Sequence, residues 1–188
     1  MSASNPPASL LLAACLAALA ACASTPPPQV ADPIGLDGAP LLLEGKRYMR
    51  YSVGTTIAAP PETVWAILTD APSYPSWNTE VLSIDGSIAP EQRIRLKAKI
   101  DPDRTFKLEV SHFDPARKLV WEDGNGMFRG VRTFTLTATA DGGTDVTMAE
   151  VLTGAMLPMI AKKLPDFRPS FRAFAADLKR EAEARAAT

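Results

Sequence analysis

Apolar and polar positions alternate along most of the chain beyond Tyr51, and the pattern changes to helical spacing in two places. Tyr51, Val53, Thr55 and Ile57 alternate and predict a first strand. Pro60-Pro61 then opens a helix, because the first helical N–H groups have no partner for proline to remove. Val64, Ile67 and Leu68 follow at helical spacing, with Trp65 widening the apolar face, and Asp70 and Pro72 end the run. Tyr74-Pro75-Ser76-Trp77-Asn78 predicts a second short turn or helix carrying two large aromatics.

A long meander comes next. Val81-Leu82-Ser83-Ile84 predicts a short strand before Asp85-Gly86. Ile94, Leu96, Ala98 and Ile100 alternate with Arg95, Lys97 and Lys99, the pattern of a strand with one buried face. Asp101-Pro102-Asp103 is read as the turn, after which Phe106, Leu108 and Val110 alternate with Lys107, Glu109 and Ser111. Asp114-Pro115 turns the chain again, and Leu119-Val120-Trp121 runs to Gly124-Asn125-Gly126. Phe134, Leu136 and Ala138 alternate with threonines, Asp141-Gly142-Gly143 supplies a hairpin turn, and Val146, Met148 and Leu152 return. Finally Ile160, Leu164, Phe167, Phe171, Phe174 and Leu178 form one apolar helical stripe, in which Pro165 and Pro169 predict a kink or a fresh start.

The first forty residues follow another rule. Leu10 to Ala21 is almost wholly Leu and Ala, about a dozen residues where a bilayer span needs about 20, and fits the apolar core of a secretory signal. No Lys or Arg precedes Lys46. Leu19-Ala20-Ala21-Cys22 resembles a bacterial lipobox, which implies cleavage and lipidation at Cys22. The expected organisation is a signal peptide over residues 1–21, a Pro/Ala-rich tether over 22–47 and one domain over 48–187. Such a protein is expected in the bacterial cell envelope, held at the membrane by its lipid anchor. Ala23 after the cysteine points to the outer membrane, facing the periplasm.

Charge and cysteine usage narrow the chemistry. Acidic residues number 21 and Lys plus Arg 20, so no bulk field favours nucleic acid. Both cysteines lie in the leader, which leaves the domain without disulfides or thiol catalysis. No metal-ligand spacing or phosphate loop occurs, and no cofactor is expected.

Pro61-Glu62-Thr63-Val64-Trp65, Tyr74-Pro75-Ser76-Trp77-Asn78, Asp114-Pro115-Ala116-Arg117-Lys118-Leu119-Val120-Trp121 and Glu150-Val151-Leu152-Thr153-Gly154 resemble the polyketide cyclase/dehydrase and lipid-transport family of the START-related SRPBCC superfamily. The resemblance covers about Tyr48 to Ala184. It implies an α+β helix-grip fold: a curved antiparallel sheet of six to seven strands wrapped around a long C-terminal helix, with two short helices after the first strand. It also implies an apolar cavity between sheet and helix for a small hydrophobic molecule. By strand phase the lining is Leu96, Ala98, Phe106, Leu108, Phe134, Leu136 and Met148, with Phe167 and Phe171 from the helix; these same residues also suit an ordinary packed core.

Two charges break the apolar phase. Arg132 is in step with Phe134, and Glu150 with Met148, so a hairpin turning at Asp141 to Gly143 brings them together. An inward charge is costly unless paired, so each residue predicts the other, as a register-fixing ion pair or as polar groups facing a ligand. His112, the only histidine, continues the phase of Phe106 to Val110 and is a third polar candidate. Three functions fit: a carrier of a hydrophobic ligand, a cyclase/dehydratase-type enzyme using Arg132, Glu150 and His112, or an interaction module with a filled core.

Overall fold

A computed structural model describes residues 34–188. The predicted Cys22 site and signal peptide lie outside those residues. Eight strands form one antiparallel sheet: β1 (Leu41–Gly45), β2 (Tyr48–Ile57), β3 (Val81–Asp85), β4 (Arg93–Ala98), β5 (Asp101–Asp114), β6 (Lys118–Gly124), β7 (Arg129–Ala138) and β8 (Thr144–Thr153). Their order is β1-β2-β8-β7-β6-β5-β4-β3. Thus β2, first in the main meander, pairs with β8, last in it. The helices α1 (Pro61–Thr69) and α2 (Tyr74–Trp77) leave β2 and cross to β3 at the far edge, with a 3₁₀ turn at Ala71–Ser73 between them. The chain returns after β8 through α3 (Leu157–Ile160), a 3₁₀ turn at Ala161–Lys163 and the long α4 (Arg168–Ala186).

The sheet has one strand more than expected. Leu41–Gly45 pairs with β2, so the last residues assigned to the tether belong to the sheet. The segment before it also packs down: a Cβ on Gly54 would lie 2.6 Å from the Gly35 carbonyl oxygen, and Gly38 N–H donates to the Gly54 carbonyl at 2.8 Å. Only glycine leaves room for that approach.

One other boundary differs, and one expected break is found. The β4–β5 turn is Lys99–Ile100 rather than Asp101-Pro102-Asp103, because Ala98 pairs directly with Asp101 after a register shift. The C-terminal stripe does not form one helix. Leu164 is extended, and α4 starts afresh with Pro169 in its first turn, where its missing N–H costs nothing. Pro61 and Pro75 open α1 and α2 in the same way.

The core lies between one face of the curved sheet and the helices. Val64, Ile67 and Leu68 of α1 are fully buried, as are Phe171, Phe174 and Leu178 of α4. At its centre Phe134 meets the Trp121 ring edge-on at 5.0 Å and the Phe174 ring at 5.6 Å. Tyr74 packs against Trp77 with its ring tilted and the centroids 4.7 Å apart, and donates its hydroxyl proton to the Leu68 carbonyl at 2.9 Å. Burying such rings supplies most of the fold's stabilisation, at roughly 1.5–3 kcal/mol per large side chain.

Candidate functional site

Inward positions on β4 to β8 alternate with outward ones, and α4 with the segment before it crosses over them. The two layers do not meet everywhere. Between them lies a partly open cavity, with about 120 Å³ accessible to the centres of water-sized molecules. One water needs about 10–15 Å³ on that measure, so this is far more than a packing defect.

Strand phase locates most of the lining. Leu96, Ala98, Phe106, Leu108 and Met148 face the cavity from the sheet, and Phe167 and Phe171 close it from above. Phe134 and Leu136 do not line it. Phe134 is fully buried among Trp121 and Phe174, which fill the space above it. Leu136 lies further along β7, bordering a shallow groove with Pro61 and Arg117.

Arg132 and Glu150 both line the cavity. They are register partners across β7 and β8, and Arg132 Nε donates to Glu150 Oε2 at 2.8 Å, with Nη2 donating to the same oxygen. The side chains keep 23% and 18% of their exposure, so the pair is only partly desolvated. The guanidinium also sits 5.3 Å from the centre of the Phe171 ring, joining the ion pair to α4 by a cation–π contact.

His112 is exposed and lies outside the lining, contrary to its sequence phase. The reason is a bulge. Val110 pairs with Trp121 but His112 pairs with Val120, so the extra residue, Ser111, reverses the facing of the rest of β5. Phe113 turns inward instead and meets Trp65 edge-on at 4.8 Å.

Among the lining residues that sequence phase does not mark are Trp121, Asp123 and Gly130. Trp121 and Asp123 are two apart on β6 and share its inner face. Gly130 pairs with Asp123 and keeps the floor open. A Cβ there would lie 3.1 Å from Asp123 Oδ1 and 3.5 Å from Glu150 Oε1, so both carboxyl groups lean over this one glycine. Burial pushes the Asp123 carboxyl above the ordinary carboxylate range, while Arg104 and a backbone hydrogen bond from Gly130 pull it down. Arg104 lies at the cavity edge, 4.4 Å over the Phe106 ring.

The roof is strapped to β3. Ser170 donates to Glu80 at 2.6 Å, and Asp177 accepts from both the backbone N–H and the hydroxyl of Thr79 at 2.7 Å. Among the described residues no cluster of three or more His, Cys, Asp or Glu side chains is placed to hold a metal ion, and no helix is long and apolar enough to cross a membrane.

A family model described as polyketide cyclase/dehydrase and lipid transport matches residues 49–183. A conserved protein of unknown function from Enterococcus faecalis has the same fold, at 18% identity and a TM-score of 0.57, covering 79% of this chain and 80% of that one. So does the Zhui aromatase/cyclase from Streptomyces sp. R1128, at 15% identity and a TM-score of 0.56, covering 73% and 95%. The di-domain aromatase/cyclase BexL of the BE-7585A biosynthetic pathway superposes with a TM-score of 0.59 at 16% identity, over 76% of this chain and 52% of that one. At these identities the likeness is one of fold. Comparison with curated proteins gives no match.

Proposed function

Because this chain belongs to the polyketide cyclase/dehydrase and lipid transport family, we propose that it binds and carries a small hydrophobic molecule in the cavity beneath α4. The observation that carries this reading is the cavity itself: a largely apolar space between sheet and helix, with Asp123, Arg132 and Glu150 close together in its lining. A ligand seated in a largely apolar space of this size would make van der Waals contacts along its whole lining. The lipobox at Leu19-Ala20-Ala21-Cys22 completes the proposal: the domain is tethered to the bacterial envelope, within reach of ligands that dwell in the bilayer.

A second reading has one observation in its favour. Asp123 and Glu150 share the space over Gly130, and paired carboxyl groups in different environments suit acid–base chemistry of the cyclase/dehydratase type. Arg132 would then orient a substrate carbonyl. Arg132 is, however, already engaged by Glu150, and exposed His112 adds no base inside the cavity. The carrier reading needs no free base and is the one adopted.

Native mass spectrometry of protein purified from its own membrane tests it. A carrier retains a hydrophobic molecule that solvent extraction removes intact. Extraction of a chemically altered product after incubation with a candidate substrate would favour the enzyme.

A further inference from the structure

A short surface helix ordinarily turns its polar row to water. In α3 and the 3₁₀ turn after it, Leu157, Ala161 and Leu164 form the inner row and pack on the core. The outer row is not polar: Met156 is 38% exposed and Met159 75%. Met127, 54% exposed in the β6–β7 turn, joins them. The Met156 N–H donates to the Met127 carbonyl at 2.9 Å, and the Ala155 N–H to the Gly126 carbonyl at 3.1 Å. Gly154 permits that approach, since a Cβ on it would run into the Met127 carbonyl. Three of the six exposed large apolar side chains among the described residues thus lie on two hydrogen-bonded segments, rather than scattered singly over the surface.

The charge beside this patch is mostly positive. Lys162 and Lys163 follow it directly, are exposed, and make no ion pair or hydrogen bond among the described residues. Asp166, the next acid along the chain, is held by Arg168 at 2.8 Å. The β1–β2 turn brings Lys46 and Arg47 to the same end of the sheet, because Tyr48 pairs with Thr153, the last residue before Gly154. They too are exposed and unpaired among the described residues, with Glu44 as the acid next to them. At the other side of this end the β4–β5 turn offsets Lys99 and Arg104 with Asp101 and Asp103. The patch also runs on into the cavity lining. Phe128 and Leu164, chain neighbours of Met127 and Lys163, line the cavity and are half-buried.

We propose that Met127, Met156 and Met159, flanked by Lys162 and Lys163, dock the domain on an anionic bilayer surface, so that a ligand passes between the bilayer and the adjoining cavity without crossing water. This rests on the carrier reading above. The methionines enter the apolar side of the interface, where a flexible thioether fits an irregular phase, and the cations meet lipid phosphates. The tether allows it. Residues 22–33 span up to about 40 Å when extended, and Gly35 lies against Gly54, about 20 Å along β2 from Tyr48. An anchor at Cys22 therefore leaves this end of the sheet free to face the membrane.

Flotation with vesicles tests it, using residues 34–188, which hold the whole sheet, its helices and the core and leave out the leader and the anchor. The wild type is expected to partition at least about tenfold more strongly onto an equal mixture of phosphatidylcholine and phosphatidylglycerol than onto phosphatidylcholine alone, at about fivefold per lysine near an anionic surface. Lys162→Gln/Lys163→Gln is expected to lose most of that excess. Met127→Ser/Met159→Ser is expected to weaken binding to the anionic vesicles about tenfold, and exposed positions such as these leave the fold intact. Lys97→Gln/Lys107→Gln, on the outer face of β4 and β5, is expected to bind as the wild type does. No preference for anionic vesicles, or an equal loss in the outer-face variant, overturns the docking surface. So does self-association of the wild type that the methionine substitutions abolish in the absence of vesicle binding, which assigns the patch to a second copy of the chain. Saturable uptake of a fluorescent lipid without vesicle binding overturns the surface alone; vesicle binding without uptake overturns the carrier reading, and the passage of ligand with it.

Discussion

Arg132 stands directly across from Glu150 in the β7–β8 ladder, its Nε 2.8 Å from Glu150 Oε2, with its guanidinium 5.3 Å from the centre of the Phe171 ring. One side chain thus ties two strands and the C-terminal helix together at the edge of the cavity. Each group offsets the cost of the other's partial burial. Arg132→Met or Glu150→Gln is expected to lower stability by about 1–3 kcal/mol in denaturant unfolding, since either leaves a partly buried charge without its partner. The double mutant should lose less than the two single losses combined. Small, additive losses would mean that solvent already supports each charge alone.

Asp123 predicts a stability that depends on pH in an unusual direction. Burial raises its carboxyl above the ordinary 3.8, so the folded state holds this proton more tightly than the unfolded chain. Its contribution is therefore fully present below that ordinary value and is lost as pH rises through the raised one. Asp123→Asn removes the dependence while keeping an acceptor for the Gly130 N–H. The variant should be more stable than wild type at neutral pH, with the gap closing in acid. Thermal melts across that range check it, and a variant less stable at neutral pH would contradict it.

Asp177 holds the middle of α4 to Thr79, in the segment that leads into β3. It is 4% exposed, accepts two hydrogen bonds from Thr79 and pairs with Arg180 at 2.8 Å. Asp177→Ala leaves both Thr79 donors without this acceptor, at about 1–3 kcal/mol for each that stays buried. Amide hydrogen exchange should show faster opening of Arg168–Ala186 than of β7 and β8. Uniformly faster exchange would mean that the helix and sheet open only together.

The proposed lipidation at Cys22 predicts a change of compartment. The native protein should fractionate with membranes, and Cys22→Ser should not be held there by acyl chains, since stable anchoring takes more than one of them. Equal solubility of the two would remove the anchor from the account.

Most of the fold was legible because burial of one sheet face enforces period-two alternation, as in Ile94 to Ala98 and Phe134 to Ala138. The pairing of Arg132 with Glu150 was legible for the same reason, since an inward charge demands a partner. His112 was misread because one bulged residue reverses phase, and Ser111 carries no signal that marks a bulge. Trp121 and Asp123 were hidden for a different reason: Leu119-Val120-Trp121 is apolar throughout and shows no alternation to follow. Asp123, in step with Trp121, is the charged interruption that would have shown it. Gly130 could not be found from pattern at all, because its role is the space that it leaves. β1 escaped because Leu41-Leu42-Leu43 follows a Pro-rich stretch and has only one neighbouring strand.

The central claim is that the space beneath α4 holds a ligand, and Leu108 lines that space from β5. Leu108→Trp should fill it, at a cost of about 1–3 kcal/mol from overpacking, which thermal unfolding will register separately from binding. Titrating an environment-sensitive fluorescent lipid into residues 34–188 and into the Leu108→Trp variant is the most direct measurement. The wild type is expected to bind saturably and a folded variant to lose that binding; no saturable binding, or equal binding by both, would remove the ligand from the space beneath α4.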